Sequence, residues 1–192
     1  MYMNYRKKNQ GVGMVEVLVA LTLLAIGVLG FTALQLRAVD ATAEANNRIQ
    51  AMNLARDLAE RIRANQVGLS KSIVIKDSTG KDTNQKISAY MNAFASKQYL
   101  ESYSWSGQNC YQSKRCSSTE LANQDANQIL YKAFLIGMKV GLSDCAGALK
   151  GERSCIYVAW GDSQPTDGSS STSCTNNGSY TMTSQCVVLE AY

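Results

Sequence analysis

The residues whose types and positions could carry chemistry are six cysteines and one glutamate inside an apolar segment of this 192-residue chain. The sequence contains no histidine, which excludes Ser-His-Asp and Cys-His catalysis, histidine-ligated metals and histidine pH switches. Two carboxylate pairs, Asp144 with Glu152 and Asp125 with Glu120, are interpreted as parts of a solvated surface. We therefore expect no enzyme activity, no cofactor and no metal site.

All six cysteines follow the apolar segment, and an even number of cysteines in an exported domain is typical of disulfides. A zinc site is disfavoured because the sequence has no Cys-x-x-Cys motif and no histidine. Six cysteines allow 15 connectivities, and spacing alone does not decide between them. We favour the nearest-neighbour pairs because each closes a short loop: Cys110–Cys116, Cys145–Cys155 and Cys174–Cys186.

The apolar segment is long enough to cross a membrane. Residues Val17 to Leu36 carry no charge, and a helix of about 20 residues spans the roughly 30 Å hydrocarbon core of a bilayer. A basic flank, Arg6-Lys7-Lys8, precedes it, which predicts a cytoplasmic N-terminus and an exported C-terminal body. A buried core helix rarely lacks a charged face over this length. A secretory signal peptide has a shorter apolar run followed by a small-x-small cleavage site, which is missing here.

Glu16 is the informative residue of this segment. A carboxylate in an apolar environment costs several kcal/mol unless it has a partner. Gly11 lies before the apolar run and has the character of a processing site. Cleavage after Gly11 would leave the α-amine of Val12 one helical turn from Glu16. That amine, on the same chain or on a neighbouring copy, is the expected partner of the carboxylate, and the pair would set the register between subunits.

The sequence KKNQG-VGMVEVLVALTLLAIGVLG resembles a prepilin (class III) signal followed by the helical N-terminus of a type IV pilin-like protein. The family pattern is a basic leader ending in Gly, then an apolar helix with Glu at its fifth position, which Gly11 and Glu16 match. The sequence departs at Val12, where Phe is commoner, and at Gly13. The segment LARDLAERIRAN, residues 54–65, is similar to minor pilins of the PilV type. The resemblance is strong over residues 6–66 and weaker beyond.

This resemblance implies an α+β fold, in which a long N-terminal helix is packed on a small disulfide-bonded antiparallel sheet. Residues 1–11 would be the leader, 12–36 the transmembrane and assembly helix, and 37–192 a periplasmic head. A prepilin peptidase would cut between Gly11 and Val12 and methylate the new amine. The expected function is that of a minor pilin, which moves from the inner membrane into the pilus and helps to prime or cap assembly with other minor pilins and the major pilin. Twitching motility, adhesion and DNA uptake are the implied downstream roles.

The rest of the sequence predicts elements that would build the head. Helical periodicity continues to about Asn65, with a stop at Gly68, giving a helix of roughly 55 residues and about 80 Å. Its expected buried stripe is Ile49, Met52, Ala55, Ala59 and Ile62. A second helix is predicted over 119–139, capped by Thr119. Strands are predicted over 72–75, 155–160 and 185–191, a turn over 77–84 and a loop over 161–178.

Two alternatives remain open, the first of them within the same superfamily. One is a minor pseudopilin of a type II secretion system. The other is a tip adhesin or a DNA-binding module, for which a group of aromatic residues around Cys110 could serve as a stacking surface: Tyr99, Tyr103, Trp105 and Tyr111. Residues 37–192 carry 16 basic and 14 acidic side chains, too balanced for a strong electrostatic nucleic-acid site. Asn177-Gly178-Ser179 matches the N-glycosylation pattern, a weak signal here.

Overall fold

The computed structural model describes residues 13–70, 72–76, 82–95, 97, 110, 115–149 and 152–191, with backbone alone for 72–76 and 82–86. The chain divides into two compact units, the first ending at Ala45 and the second beginning at Asn46. The architecture is α+β, as the sequence predicts. The elements are α1 (Met14–Ala64), α2 (Gln66–Ser70), β1 (Ser72–Lys76), β2 (Asp82–Ser88), α3 (Ala89–Phe94), α4 (Ser118–Leu135), β3 (Met138–Asp144), β4 (Ser154–Trp160), β5 (Gln164–Asp167), β6 (Ser173–Asn176), β7 (Ser179–Tyr180) and β8 (Cys186–Ala191).

Helix α1 has 51 residues and ends one residue before the predicted position. Gly68 is not its stop, because it is buried inside the short helix α2. A Cβ at position 68 would lie 2.6 Å from the amide nitrogen of Asn65 and 3.0 Å from the carbonyl oxygen of Ser118. Glycine is therefore required here because α2 packs closely against Asn65 and the backbone of Ser118.

Helix α4 begins at a capping box. The hydroxyl of Ser117 accepts a hydrogen bond from the backbone N–H of Glu120, and the Glu120 carboxylate accepts one from the backbone N–H of Ser117, at 3.3 and 2.8 Å. The prediction of Thr119 as the cap was wrong by two residues. The predicted end at 139 was also wrong, because α4 ends at Leu135 and Gly137 adopts φ 70° before β3 starts.

The main sheet has the order β3-β4-β8 and is antiparallel throughout. Its central strand β4 is buried at every position, because it is covered on both faces. Ile156, Val158 and Trp160 belong to the core shared with the helices. Cys155, Tyr157 and Ala159 belong to a second buried cluster that contains the cystines. The alternation follows the two-residue period of a strand.

The buried stripe of α1 agrees in part with the predicted one. Ala55 and Ile62 are buried as predicted, Met52 and Ala59 are partly buried against the core, and the other buried positions are Ala51, Leu54 and Leu58. Ile49, which the sequence pattern placed in the stripe, is 61% exposed. The buried set is fixed by contact with α3 and α4, which sequence periodicity does not report. Facing residues from those two helices are Ala89, Tyr90, Phe94, Ala122, Ala126, Ile129, Leu130 and Ala133.

Two regions predicted as turn or loop contain strands. Strand β2 covers part of the predicted turn and pairs with β1 in an antiparallel hairpin. The predicted loop 161–178 contains β5 and β6, which pair in parallel, while β6 and β7 pair antiparallel. Gly141 of β3 allows β5 to approach, because a Cβ at position 141 would collide with the carbonyl oxygen of Pro165.

Candidate functional site

The start of α1 holds the carboxylate that the sequence singled out. The carbonyl of Gly13 accepts hydrogen bonds from the backbone N–H groups of Glu16 and Val17, at 3.0 and 3.3 Å, which places Glu16 in the first helical turn. Its side chain is exposed. A negative charge in the first turn is favoured by the partial positive charge of the free N–H groups there. Gly11 and Val12, the predicted processing residues, lie outside the described residues.

The side chains that follow Glu16 form an exposed apolar surface. The large apolar side chains from Met14 to Val39 are 46 to 84% exposed. Such a contiguous surface is unfavourable in water and indicates lipid or other apolar helices as its surroundings. By length and composition, α1 is able to cross a membrane. The apolar helix thus fits membrane anchoring.

Polar groups within this surface are compatible with an apolar medium. The hydroxyls of Thr22 and Thr32 donate to the backbone carbonyls of Val19 and Leu29, each at 2.9 Å. These hydroxyls therefore need no external partner. Gly27 and Gly30 lie one turn apart, and a Cβ at either position would meet no atom within 4 Å. The two glycines leave the helix backbone open to close approach by another helix.

A charged network joins the later part of α1 to α4. Arg61 donates to Asp57 at 2.8 Å, to Asp125 at 2.9 Å and to Gln128 at 2.7 Å. Lys132 donates to the second oxygen of Asp57 at 2.7 Å. Burial opposes ionisation of Asp57, but the hydrogen bonds from Lys132 and Arg61 outweigh it and hold the pKa of this carboxyl below its ordinary value. The network fixes α4 along α1 by paired charges.

Asp125 is the buried centre of this network, with a side chain only 4% exposed. Its second oxygen accepts a hydrogen bond of 2.7 Å from the hydroxyl of Tyr90 on α3. Burial and this bond raise the pKa of Tyr90, so the phenol remains a donor. The interpretation of Asp125 and Glu120 as a solvated carboxylate pair was therefore wrong: Asp125 is buried and ion-paired, and Glu120 caps α4.

The same network reaches the end of α1 through Asn65. Its side-chain amide donates to the carbonyl of Ser118 at 2.8 Å. The four-residue spacing of Asp57 and Arg61 is typical of a helical ion pair, but it gives no indication of the partners on α3 and α4. Those partners are distant in sequence, and no local pattern indicates them.

The cysteines form three disulfides, which are the nearest-neighbour pairs: Cys110–Cys116, Cys145–Cys155 and Cys174–Cys186. The last two belong to the buried cluster around Tyr157. Cys174–Cys186 joins β6 of the small sheet to β8 of the main sheet. All six cysteines are oxidised, so these side chains have structural rather than nucleophilic roles.

An open groove of about 430 Å³ lies between the end of α3, β3 and β5. Its carboxylate, Asp167, accepts hydrogen bonds from the hydroxyl of Thr175 at 2.6 Å and from the backbone N–H of Gly178 at 3.0 Å. This carboxylate thus organises the neighbouring turn.

Among the described residues, no group of three potential metal ligands occurs. The aromatic residues predicted as a stacking surface lie outside the described ranges.

Comparison with known proteins matches two consecutive parts of the chain. Residues 6–32 match a family described as "Prokaryotic N-terminal methylation motif", which includes Gly11, Val12 and Glu16. Residues 33–127 match a family described as "Type IV pilin Tt1218". No curated protein and no solved structure matches the chain.

Proposed function

We propose, from the premise that the chain is a type IV pilin-like protein with a prepilin methylation motif, that it acts as a minor pilin of the PilV type. Pilins are structural subunits rather than enzymes. The motif implies processing by a prepilin peptidase and assembly with other pilins. The observation that carries the proposal is the exposed apolar surface of α1 with Glu16 in its first turn.

The first step is removal of residues 1–11. Cleavage between Gly11 and Val12 gives Val12 a free α-amine, which the peptidase then methylates. Residues 12 and 16 are separated by four positions, or one helical turn of about 5.4 Å. The positive amine of Val12 and the carboxylate of Glu16 therefore neutralise each other within one subunit or between neighbouring subunits. The pairing offsets the cost of placing either charge in an apolar environment.

Before assembly, residues 12–36 hold the protein in the inner membrane. The basic flank Arg6-Lys7-Lys8 stays in the cytoplasm, and residues 37–192 form a head in the periplasm. During assembly the helix leaves the bilayer for a bundle of similar helices. Its apolar side chains exchange lipid for neighbouring subunits, and Gly27 and Gly30 allow the backbones to approach closely.

A minor pilin primes or caps assembly together with other minor pilins and the major pilin. Motility, adhesion and DNA uptake then follow from the fibre. Helix α4 and the three disulfides, which build an elaborated head, support the pilus over a type II secretion pseudopilus.

The processing step is tested by intact mass after co-expression with a prepilin peptidase. We expect loss of residues 1–11 and gain of one methyl group on Val12. Gly11→Val is the matched variant, because it retains the apolar helix and should leave the chain uncut. A chain that keeps its leader, or that is cut beyond Ala33, would contradict the proposal.

The assembly step is tested in a host that makes fibres. Deletion of this chain should reduce the number of surface fibres without changing exoprotein secretion, and Glu16→Ala should behave like the deletion although the variant is still cut. Glu16→Asp is the control that retains the charge. A secretion defect with normal fibres would identify a pseudopilin instead.

A further inference from the structure

The turn between β6 and β7 contains Asn177-Gly178, the one Asn-Gly dipeptide of the sequence. The strands register Asn176 with Ser179, so these two residues form the whole loop. Asn177 has φ 49° and Gly178 has φ 78°. Two consecutive positive φ values are the geometry of a type I′ hairpin turn. Both residues are exposed to solvent.

The backbone geometry of the turn favours this dipeptide. Asn is among the few residues that tolerate a positive φ at the first position. Glycine is needed at the second because of its φ, and because a Cβ there would lie 3.2 Å from the Cβ of Ala146. The loop that contains Ala146 is closed by the disulfide Cys145–Cys155. The turn packs closely onto this loop, and its geometry favours Asn-Gly. A chemically reactive dipeptide is therefore present on the surface of the head.

Asn-Gly dipeptides undergo deamidation. The backbone nitrogen of the glycine loses its proton and attacks the side-chain carbonyl carbon of the asparagine. The new C–N bond closes a succinimide, and the side-chain nitrogen leaves as ammonia with the displaced proton. Water then opens the ring at either carbonyl and gives aspartate or isoaspartate. No oxidant or reductant is needed.

In this structure the nitrogen that would attack already makes a hydrogen bond. The backbone N–H of Gly178 donates to the carboxylate of Asp167 at 3.0 Å. The same oxygen accepts from the hydroxyl of Thr175 at 2.6 Å, and Thr175 is only 2% exposed. The carbonyl of Thr175 also accepts from the N–H of Gly168 at 2.8 Å. Asp167 is therefore fixed by its side-chain bond to Thr175 and by the backbone bond of the next residue, Gly168, to the same threonine. Its carboxylate thus lies where the N–H of Gly178 can donate to it.

We propose that Asn177 is a deamidation site whose rate in the folded protein is set by Asp167. Attack requires the Gly178 nitrogen to leave the carboxylate, lose its proton and move toward the Asn177 side chain. A neighbouring negative charge also disfavours the deprotonated nitrogen. The bond to Asp167 thus opposes the movement of the nitrogen as well as the loss of its proton.

Deamidation would change the turn lastingly. Isoaspartate adds one backbone atom to a loop that has only two residues, so the register of Asn176 with Ser179 is lost. Aspartate at position 177 would place a second negative charge beside Asp167. Either product weakens the anchoring of β7 and alters the exposed surface of the head.

The rate is measured on the full chain in detergent, incubated in mildly alkaline buffer. Trypsin releases residues 154–192 as one peptide, because no Lys or Arg follows Arg153. Fragmentation of this peptide after reduction and alkylation distinguishes Asn177 from Asn176. The same chain, reduced and unfolded in denaturant, supplies the unprotected rate. We expect the folded chain to react more slowly than this reference by about tenfold or more, the factor given by one charge-assisted hydrogen bond.

Asp167→Asn should bring the folded rate toward the reference, whereas Thr175→Val, which keeps the carboxylate but removes one of the bonds that hold it, should raise the rate less. A folded Asp167→Asn chain with the unaltered rate, or a native chain that deamidates as fast as the unfolded one, would overturn the proposal. Amide hydrogen exchange of Gly178 in the unaltered chain is a second test that needs no variant. Protection is expected, and exchange at the unprotected rate would also overturn the proposal.

Discussion

Replacing Arg61 by methionine tests the physical account of the charged network. Asp125 would keep its bond to Tyr90 but lose the cation that balances its charge, and its side chain is only 4% exposed. Removing one partner of a buried ion pair costs about 3 to 5 kcal/mol. Arg61 is 19% exposed, so we take the lower end, about 3 kcal/mol. For a chain of this size this corresponds to a decrease of roughly 6 to 12 °C in the melting temperature.

The assay is thermal and denaturant unfolding of the full chain in detergent, without reductant. Arg63→Met is the matched control, because Arg63 lies on the same helix and is exposed, and a change within about 0.5 kcal/mol is expected. Arg61→Met combined with Asp125→Leu should recover part of the loss, since no buried charge remains unbalanced. The reasoning would be refuted if Arg61→Met cost less than about 0.5 kcal/mol. It would also be refuted if the double variant lost more stability than the two single variants together.

Three further predictions concern the head. The pKa of Asp57 is lower in the folded chain than its ordinary value of 3.8, so its contribution to stability is present above that pH and is lost as the pH falls through the folded value. Unfolding measured between neutral and strongly acidic pH should show this loss, and Asp57→Asn should reduce the slope. Gly141→Ala should destabilise the head by about 1 to 3 kcal/mol, because the new methyl group meets the Pro165 carbonyl. Replacing Cys174 and Cys186 together by alanine should cost about 3 kcal/mol in denaturant unfolding, because the disulfide no longer restricts the unfolded chain.

Each of these has its own contradicting result. If the stability of the Asp57→Asn variant fell toward acidic pH with the same slope as that of the parent, other carboxylates would account for the pH dependence. An unchanged unfolding midpoint for Gly141→Ala would mean that β5 moves away from β3 without cost. If the variant without the Cys174–Cys186 bridge were as stable as the parent, packing alone would hold the two sheets together.

The long helix and its carboxylate were predictable because their signals are local. Twenty residues without a charge need no tertiary contact to be recognised, and Glu16 stands out against them. The disulfide pairs followed from a preference for short loops. The capping box of α4 is also a local signal, because Ser117 and Glu120 stand three residues apart, and the prediction of Thr119 as the cap misses it.

The remaining features depend on contacts between distant segments. Ile49 fits the helical period as well as its buried neighbours do, and only the position of α3 and α4 leaves it exposed. Strands β5 and β6 are short and mostly polar, so their sequences resemble a loop, and they are held as strands by Asp167 and the Cys174–Cys186 bridge. Asp125 carried no sequence signal of burial, because its cation lies 64 positions away.

Strand β4 has a consequence for how the head responds to reducing agents. Its two faces belong to the helix core and to the cystine cluster, so neither core can open without displacing the strand they share. A reductant should reach Cys145–Cys155 and Cys174–Cys186 only when the whole head opens. The rate of thiol release from these two bridges then measures the frequency of global opening, and a substitution on the helix side, such as Ile156→Ala, should accelerate chemistry on the opposite face of the sheet.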